Sequence, residues 1–163
     1  MFQLLKTTVL ASACALAAAS ALAADAKNYP GSMGVKYSGA TPSYSSSAIV
    51  NPSSSSWMYV DLPAINDEDN DILISYVRVL DRHYSSDVRC SINQAYWNNS
   101  ADAMYGWWGT NVTSTGSSSN SQTLSTGPLG GTGMTVHTYF SCAVPPSYSG
   151  NQSRIISYYV YEG

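Results

Sequence analysis

The sequence predicts an all-β fold: a two-layer antiparallel β-sandwich with jelly-roll or immunoglobulin-like topology, about seven to eight strands and one disulfide. Three observations predict it. Ser, Gly, Pro and Asn punctuate the chain about every ten residues, with no long helical period between them. The runs they separate are short and rich in Val, Ile, Tyr and Trp, residues that suit a pleated, half-buried surface. Two cysteines, Cys90 and Cys142, remain once the leader is set aside, and an oxidising compartment would pair them.

The leader comes first. Met1 to Lys6 carries one positive charge, and Val9 to Leu22 is apolar but too short to span a bilayer. Ala21-Leu22-Ala23 fits a small-x-small cleavage site, so residues 1–23 are expected to be a signal peptide, with Ala26 a second choice of cut. Cys14 leaves with it; a lipid-attachment reading of "LASAC" has Ala11 where such a box wants Leu. A cut after Ala23 leaves 140 of the 163 residues, one domain that is secreted or periplasmic. Losing Lys6 leaves six basic against ten acidic residues, a net charge of −4. That balance argues against nucleic acid as a partner, which needs a basic face. No second apolar run follows to span a membrane.

The elements follow in order. Residues 24–46, rich in Ser, Gly and Pro, are expected to form an extended arm on the surface, with the sandwich itself over 47–163. Ala48-Ile49-Val50 is a first short strand, and Pro52 with Ser53 to Ser56 makes a turn. Trp57 to Leu62 is a second strand, with Met58, Val60 and Leu62 on one face and Trp57, Tyr59 and Asp61 on the other. Pro63 is expected to end its ladder. Ile72 to Leu80 is the third, with Val77 and Val79 opposed to Tyr76 and Arg78. Val88 to Tyr96 is the fourth, with Val88, Cys90 and Ile92 inward and Arg89, Ser91 and Asn93 outward. Met104 to Val112 and a weaker Ser121 to Ser125 precede a glycine-rich loop. Met134 to Val144 places Met134, Val136, Phe140 and Cys142 on one face before Pro145-Pro146. Arg154 to Tyr161 closes the chain, with Ile156, Tyr158 and Val160 assigned to the core and Ile155, Tyr159 and Tyr161 to the wet face. The pair Cys90 and Cys142 reads as a structural clamp holding the two layers together.

Three constellations bear on chemistry. Asp67, Asp69 and Asp71 reproduce the first three ligand positions of a Ca2+ loop, but Ile72 stands where the sharp-turn glycine belongs and Arg78 where the bidentate Glu belongs. The plain reading is a solvated turn; the alternative is an irregular calcium site, the one cofactor the sequence suggests. The second constellation is aromatic. Trp97 with Tyr96, and Tyr105 with Trp107 and Trp108, flank one polar connection, and Trp57 and Tyr159 face outward on their own strands. Such rings stack on the apolar face of a sugar while neighbouring amides read its hydroxyls. Adjacent Trp107 and Trp108 must point to opposite faces. The third search, for catalytic machinery, finds His83 and His137 in polar settings and no G-x-S-x-G or H-E-x-x-H. Asp61, Asp81, Asp87 and Asp102 are carboxylates a glycosidase would need in pairs.

The stretches "YVRVLDRHYSSDVRCSINQAYWNNS" and "HTYFSCAVPPSYSGNQSRIISYYVYEG" resemble a group of short secreted bacterial proteins of no established activity. The motifs V-R-V-x-D, D-V-R-C and C-x-x-P-P-x-Y-S-G carry the resemblance. It implies a β-sandwich, and a further cysteine pair where this chain has Gly34 and Leu62, so that Cys90–Cys142 is the retained bridge. Three functions stay open at this stage: a non-catalytic module binding a glycan or surface through exposed Trp and Tyr, a structural subunit of an extracellular assembly, and a small carboxylate-dependent hydrolase. Gly150, thirteen residues before the end, suits a strand-donating subunit, but residues 24–46 lack the alternating apolar donor arm.

Overall fold

The computed structural model describes residues 25–65, 71–130 and 136–163. They hold twelve strands: β1 (Asp25–Pro30), β2 (Val35–Gly39), β3 (Ser43–Ser45), β4 (Ala48–Val50), β5 (Met58–Ala64), β6 (Ile72–Leu80), β7 (Arg89–Asn98), β8 (Ala103–Trp108), β9 (Val112–Thr113), β10 (Gln122–Ser125), β11 (Val136–Val144) and β12 (Arg154–Glu162). A short 3-10 turn, Gly31–Met33, joins β1 to β2. No helix among the described residues is long and apolar enough to cross a membrane.

The strands form two antiparallel sheets. The first runs β10-β6-β12-β4-β3 with β1 also on β12, and the second runs β2-β5-β11-β7-β8 with β9 also on β7. Eight of them make the framework: β4, β5, β6, β7, β8, β10, β11 and β12. Every connection between consecutive framework strands crosses from one sheet to the other except the β7–β8 hairpin. That interleaving is the jelly roll. Alternation explains the layers. Met58, Val60 and Leu62 of β5, Val77 and Val79 of β6, Ile92 of β7 and Phe140 and Val144 of β11 are all fully buried between the sheets.

Several expectations are corrected. Residues 25–45, read from the sequence as an extended arm, are built into the sheets as strands and stay exposed along β2 and β3: β1 pairs along its length with β12, β2 with β5 and β3 with β4. Backbone pairing holds this segment, so its apolar content is a poor guide to its order. Pro63 does not end β5; it stands opposite Tyr139 inside the ladder. Its carbonyl accepts the Tyr158 hydroxyl at 2.7 Å, so its backbone polar groups face away from β11, and β2 has stopped pairing at Asp61. The missing N–H therefore costs no ladder bond. The stretch Met104 to Val112 breaks at Gly109, whose N–H bonds to the Ile92 carbonyl where a side chain would collide with that same oxygen. The two pieces, β8 and β9, both pair with β7.

On β12 a bulge between Ile155 and Ser157 shifts the register against β6. Ile155 is consequently buried and Ile156 is not, the reverse of the simple alternation, while Tyr158 and Val160 keep their core places. Cys90 and Cys142 are bonded, but they stand directly opposite each other on β7 and β11. The bridge staples neighbouring strands of one sheet and does not clamp the two layers. Ser91 and Asn93 are on the outer face as expected, yet both are buried.

Candidate functional site

The outer face of the second sheet is laid out in cross-strand rows, since residues paired in register share a face. One row is Tyr59, Ala143 and Arg89, closed by Thr113 on β9. The next is Asp61, Ser141 and Ser91; the one after is Pro63, Tyr139, Asn93 and Trp108. Small side chains in the centre, Ala143, Ser141 and Ser91, sink the floor. Tall ones stand around it. The result is an open groove of about 440 Å3 lined by Tyr37, Tyr59, Asp87, Arg89, Asn111 and Thr113 over that floor.

Each wall has a local cause. Tyr37 is the extra residue of a bulge in β2, between Lys36 opposite Val60 and Ser38 opposite Tyr59. The bulge turns its ring over the outer face, 6.1 Å from the Tyr59 ring, with its hydroxyl 3.4 Å from Ser141 Oγ. Gly39 makes this approach feasible: its φ is 76°, and a Cβ there would run into the Trp57 carbonyl. The opposite wall hangs on Asp81. This carboxylate is fully buried and accepts from His83 N at 2.9 Å, Ser153 Oγ at 3.0 Å and Ser114 Oγ at 2.5 Å. It thereby fixes the loop that delivers Asp87, itself tied to Gly116 N at 3.0 Å, and Arg89. Arg89 lies 5.7 Å above the Trp57 ring. Trp57 in turn follows a turn pinned by buried Asn51, whose Nδ2 is 2.9–3.0 Å from the carbonyls of Ser56, Val144 and Pro145. The groove thus sets aromatic faces on one side against a carboxylate, a guanidinium and an amide on the other.

Asp61 borders the floor. Burial pushes its carboxyl above the usual value, and a hydrogen bond from Ser141 pulls it part of the way back. One carboxylate oxygen is closed to solvent with no hydrogen-bond partner. Tyr139 beside it is also raised, by burial first and then by the charges of Asp61 and Tyr37. The folded state therefore holds the Asp61 proton more tightly than the unfolded chain does. Stability is favoured below the unfolded value of 3.8 and is lost as pH rises through the raised folded value. Asp61→Asn is expected to remove that loss and to be the more stable protein at neutral pH. Urea unfolding of both from acid to neutral pH checks this; parallel curves would contradict it.

The structure divides the residues singled out from the sequence. Trp57 lies under Arg89 and does not line the groove, and Trp108 lies on the outer face, 76% exposed, opposite buried Asn93. Trp97 shares that face two rows further out, opposite Met104. Trp107 and Tyr105 lie on the other face with Tyr96, Trp107 stacked on its ring at 5.1 Å and Tyr105 tilted to it at 5.8 Å. Tyr159 belongs to the first sheet, stacked on Tyr76 at 4.8 Å. The six rings do not share one plane. Asp71 is exposed before β6, and Asp67 and Asp69 lie outside the described residues. Asp81 is committed to its loop, and Asp102 sits in the β7–β8 turn with φ of 47°. Tyr37 and Asn111 join no binding pattern in the sequence; Asp87 stands there only among the carboxylates weighed for a hydrolase, and Tyr59 and Arg89 only as outward residues on separate strands.

No family model matches the chain, and no curated protein matches it in sequence. Among solved structures, a low-affinity xylan-binding module from the gut symbiont Roseburia intestinalis is similar over 85% of this chain and 96% of that one, at 11% identity and a TM-score of 0.41.

Proposed function

We propose that this chain is an exported, non-catalytic module that holds a segment of polysaccharide in the groove on the outer face of the second sheet. One observation carries the reading: the tyrosine wall of Tyr37 and Tyr59 faces the polar wall of Asp87, Arg89 and Asn111 across a floor of Ser91, Ser141 and Ala143. A pyranose has the same two-sided chemistry. Its C–H face stacks on an aromatic ring, and its hydroxyls bond to carboxylate, guanidinium and amide. The groove is open, so an extended chain lies along it without a free end having to enter.

The test is binding to a glycan array, followed by titration of the best soluble oligosaccharide. Tyr37→Ala with Tyr59→Ala should weaken binding by about tenfold or more, since each ring contact contributes on the order of 1 kcal/mol and shields the hydroxyl contacts from water. An array without signal, or a double variant that binds as well as the parent, would remove the groove from consideration.

A further inference from the structure

One end of the first sheet gathers positive charge on its outer face. Six of the chain's seven basic residues lie among the described residues, and three of those six, Arg78, Arg82 and Arg154, surround Leu80. Val79 of β6 and Ile155 of β12 are paired and fully buried, so the next pair, Leu80 and Arg154, points outward. Arg78 stands between buried Val77 and Val79 and is exposed on that same face, about 7 Å along β6 from Leu80. Arg82 follows beyond Leu80, and its backbone N–H bonds to Ser153 Oγ at 2.9 Å, next to Arg154.

No described carboxylate forms an ion pair with any of the three; the ion pairs among the described residues are those of Lys27 with Asp25 and Glu162. Arg82 Nη2 donates to the neutral amide oxygen of Asn151, at 3.1 Å. Asp25, Glu162 and Asp71 lie at the opposite ends of β12 and β6. Asp61 and Asp102 belong to the second sheet, and Asp87 lines its groove. Asp81 is close by but fully buried, with its oxygens committed to Ser114, Ser153 and the His83 N–H. The patch therefore stands out on a chain of net charge −3. Guanidinium forks match planar anionic groups such as carboxylate and sulfate. Hydroxyls flank the arginines: Ser157 and Thr123 are the cross-strand neighbours of Arg78 on its two sides. An acidic sugar offers both an anion and ring hydroxyls. A nucleic acid would need more phosphate contacts than three arginines make.

We propose that this face is a second glycan site, in which Arg78 and Arg154 hold the carboxylate or sulfate group of an acidic polysaccharide while Ser157 and Thr123 meet its hydroxyls. Arg82 adds to the attracting field. The site lies on the other sheet from the groove and shares no residue with it, so it goes beyond the groove reading and has only the class of polymer in common with it.

The test titrates the full chain by calorimetry with hexagalacturonate, a sulfated carrageenan hexasaccharide and neutral cellohexaose, at low and at physiological salt. An acidic oligosaccharide should bind, and more weakly as salt rises. Arg78→Gln with Arg154→Gln should weaken that binding by about tenfold or more, while Tyr37→Ala with Tyr59→Ala leaves it unchanged. Arg78→Gln alone, at an exposed position, should weaken it by about threefold without lowering Tm, which covers the case of a misfolded double variant. A response to hexagalacturonate alone assigns a uronate, and a response to the carrageenan fragment alone a sulfate ester; either supports the site. Acidic binding that is lost in the tyrosine variant and kept in the arginine variants overturns the site and leaves the groove standing. Tyrosine-dependent binding of cellohexaose with silence from both acids does the same. Arginine-dependent acidic binding, with no glycan sensitive to the tyrosines, keeps this site and overturns the groove reading. Equal arginine-dependent binding of a DNA duplex overturns the assignment to glycan. So does a mass that rises with protein concentration in light scattering and returns to monomer in the arginine variants without any acidic glycan bound, since the patch then receives a second copy of the chain. Silence from all three oligosaccharides overturns both sites.

Discussion

Replacing Cys90 and Cys142 together by alanine is expected to lower the free energy of unfolding by about 4 kcal/mol. The two residues are 52 positions apart. Joining them removes loop-closure entropy from the unfolded chain on that scale. The native state loses little else. The side chains are small, and β7 and β11 are already neighbours in an unbroken register from Val136 opposite Tyr96 to Ala143 opposite Arg89. The effect therefore resides mainly in the unfolded ensemble, which becomes more expanded without the cross-link, so the denaturant m-value should rise as the midpoint falls. A domain of this size has only about 5–15 kcal/mol to lose, and Tm should drop by roughly 10–20 °C. Ligand binding should weaken near the new Tm before the fold is fully lost, because Cys142 borders the groove and its neighbours Ser141 and Ala143 make the floor. Equilibrium unfolding in guanidinium, followed by tryptophan fluorescence and circular dichroism, measures all of this. A loss below about 1 kcal/mol with an unchanged m-value would mean that the bridge does not restrain the unfolded chain.

Alternation made most of the layers legible in the sequence. Met58, Val60 and Leu62, or Val77 and Val79, declare an inner face because side chains on a strand point up and down in turn. The same rule put Trp107 and Trp108 on opposite faces, where they are. It fails where one extra residue enters a strand. Ile155 and Ile156 exchange places because of a bulge that no local composition marks. Tyr37, a principal wall of the groove, is likewise a bulged residue on a short edge strand of polar side chains. The groove was illegible for a second reason. Its rows gather one residue each from β5, β11 and β7, such as Tyr59, Ala143 and Arg89, and only the cross-strand register brings them side by side. Trp97, Trp107 and Trp108 are close in sequence yet divided between the two faces of the β7–β8 hairpin. Proximity along the chain and proximity on a face are different things in a jelly roll, where neighbours in a sheet come from distant segments.

The two layers are locked to each other by Tyr158, and its removal should cost as much as the disulfide. Tyr158 belongs to β12 of the first sheet and is fully buried. Its hydroxyl reaches across the core to the Pro63 carbonyl on β5 of the second sheet, at 2.7 Å. Its ring stacks on Tyr29 at 5.0 Å and meets the edge of Phe140 at 5.6 Å. Tyr158→Ala is expected to destabilise by about 3–5 kcal/mol, from lost burial and the cavity left behind. Tyr158→Phe keeps the ring and should cost about 1 kcal/mol, the net contribution of one part-buried hydrogen bond to the Pro63 carbonyl. The hydroxyl also sets an alkaline limit. Burial, and secondarily Tyr29, push its ionisation well above the ordinary value of 10.0. Unfolding releases that proton more readily than the fold does, so stability falls as pH rises beyond the unfolded-chain value. Tyr158→Phe should lack this part of the alkaline slope while being the less stable protein at neutral pH. Urea denaturation from neutral to strongly alkaline pH separates the two effects. Equal stability of Tyr158→Phe and the parent at neutral pH would show that the hydroxyl does not join the sheets, and that Phe140, Tyr29 and the aliphatic core hold them without it.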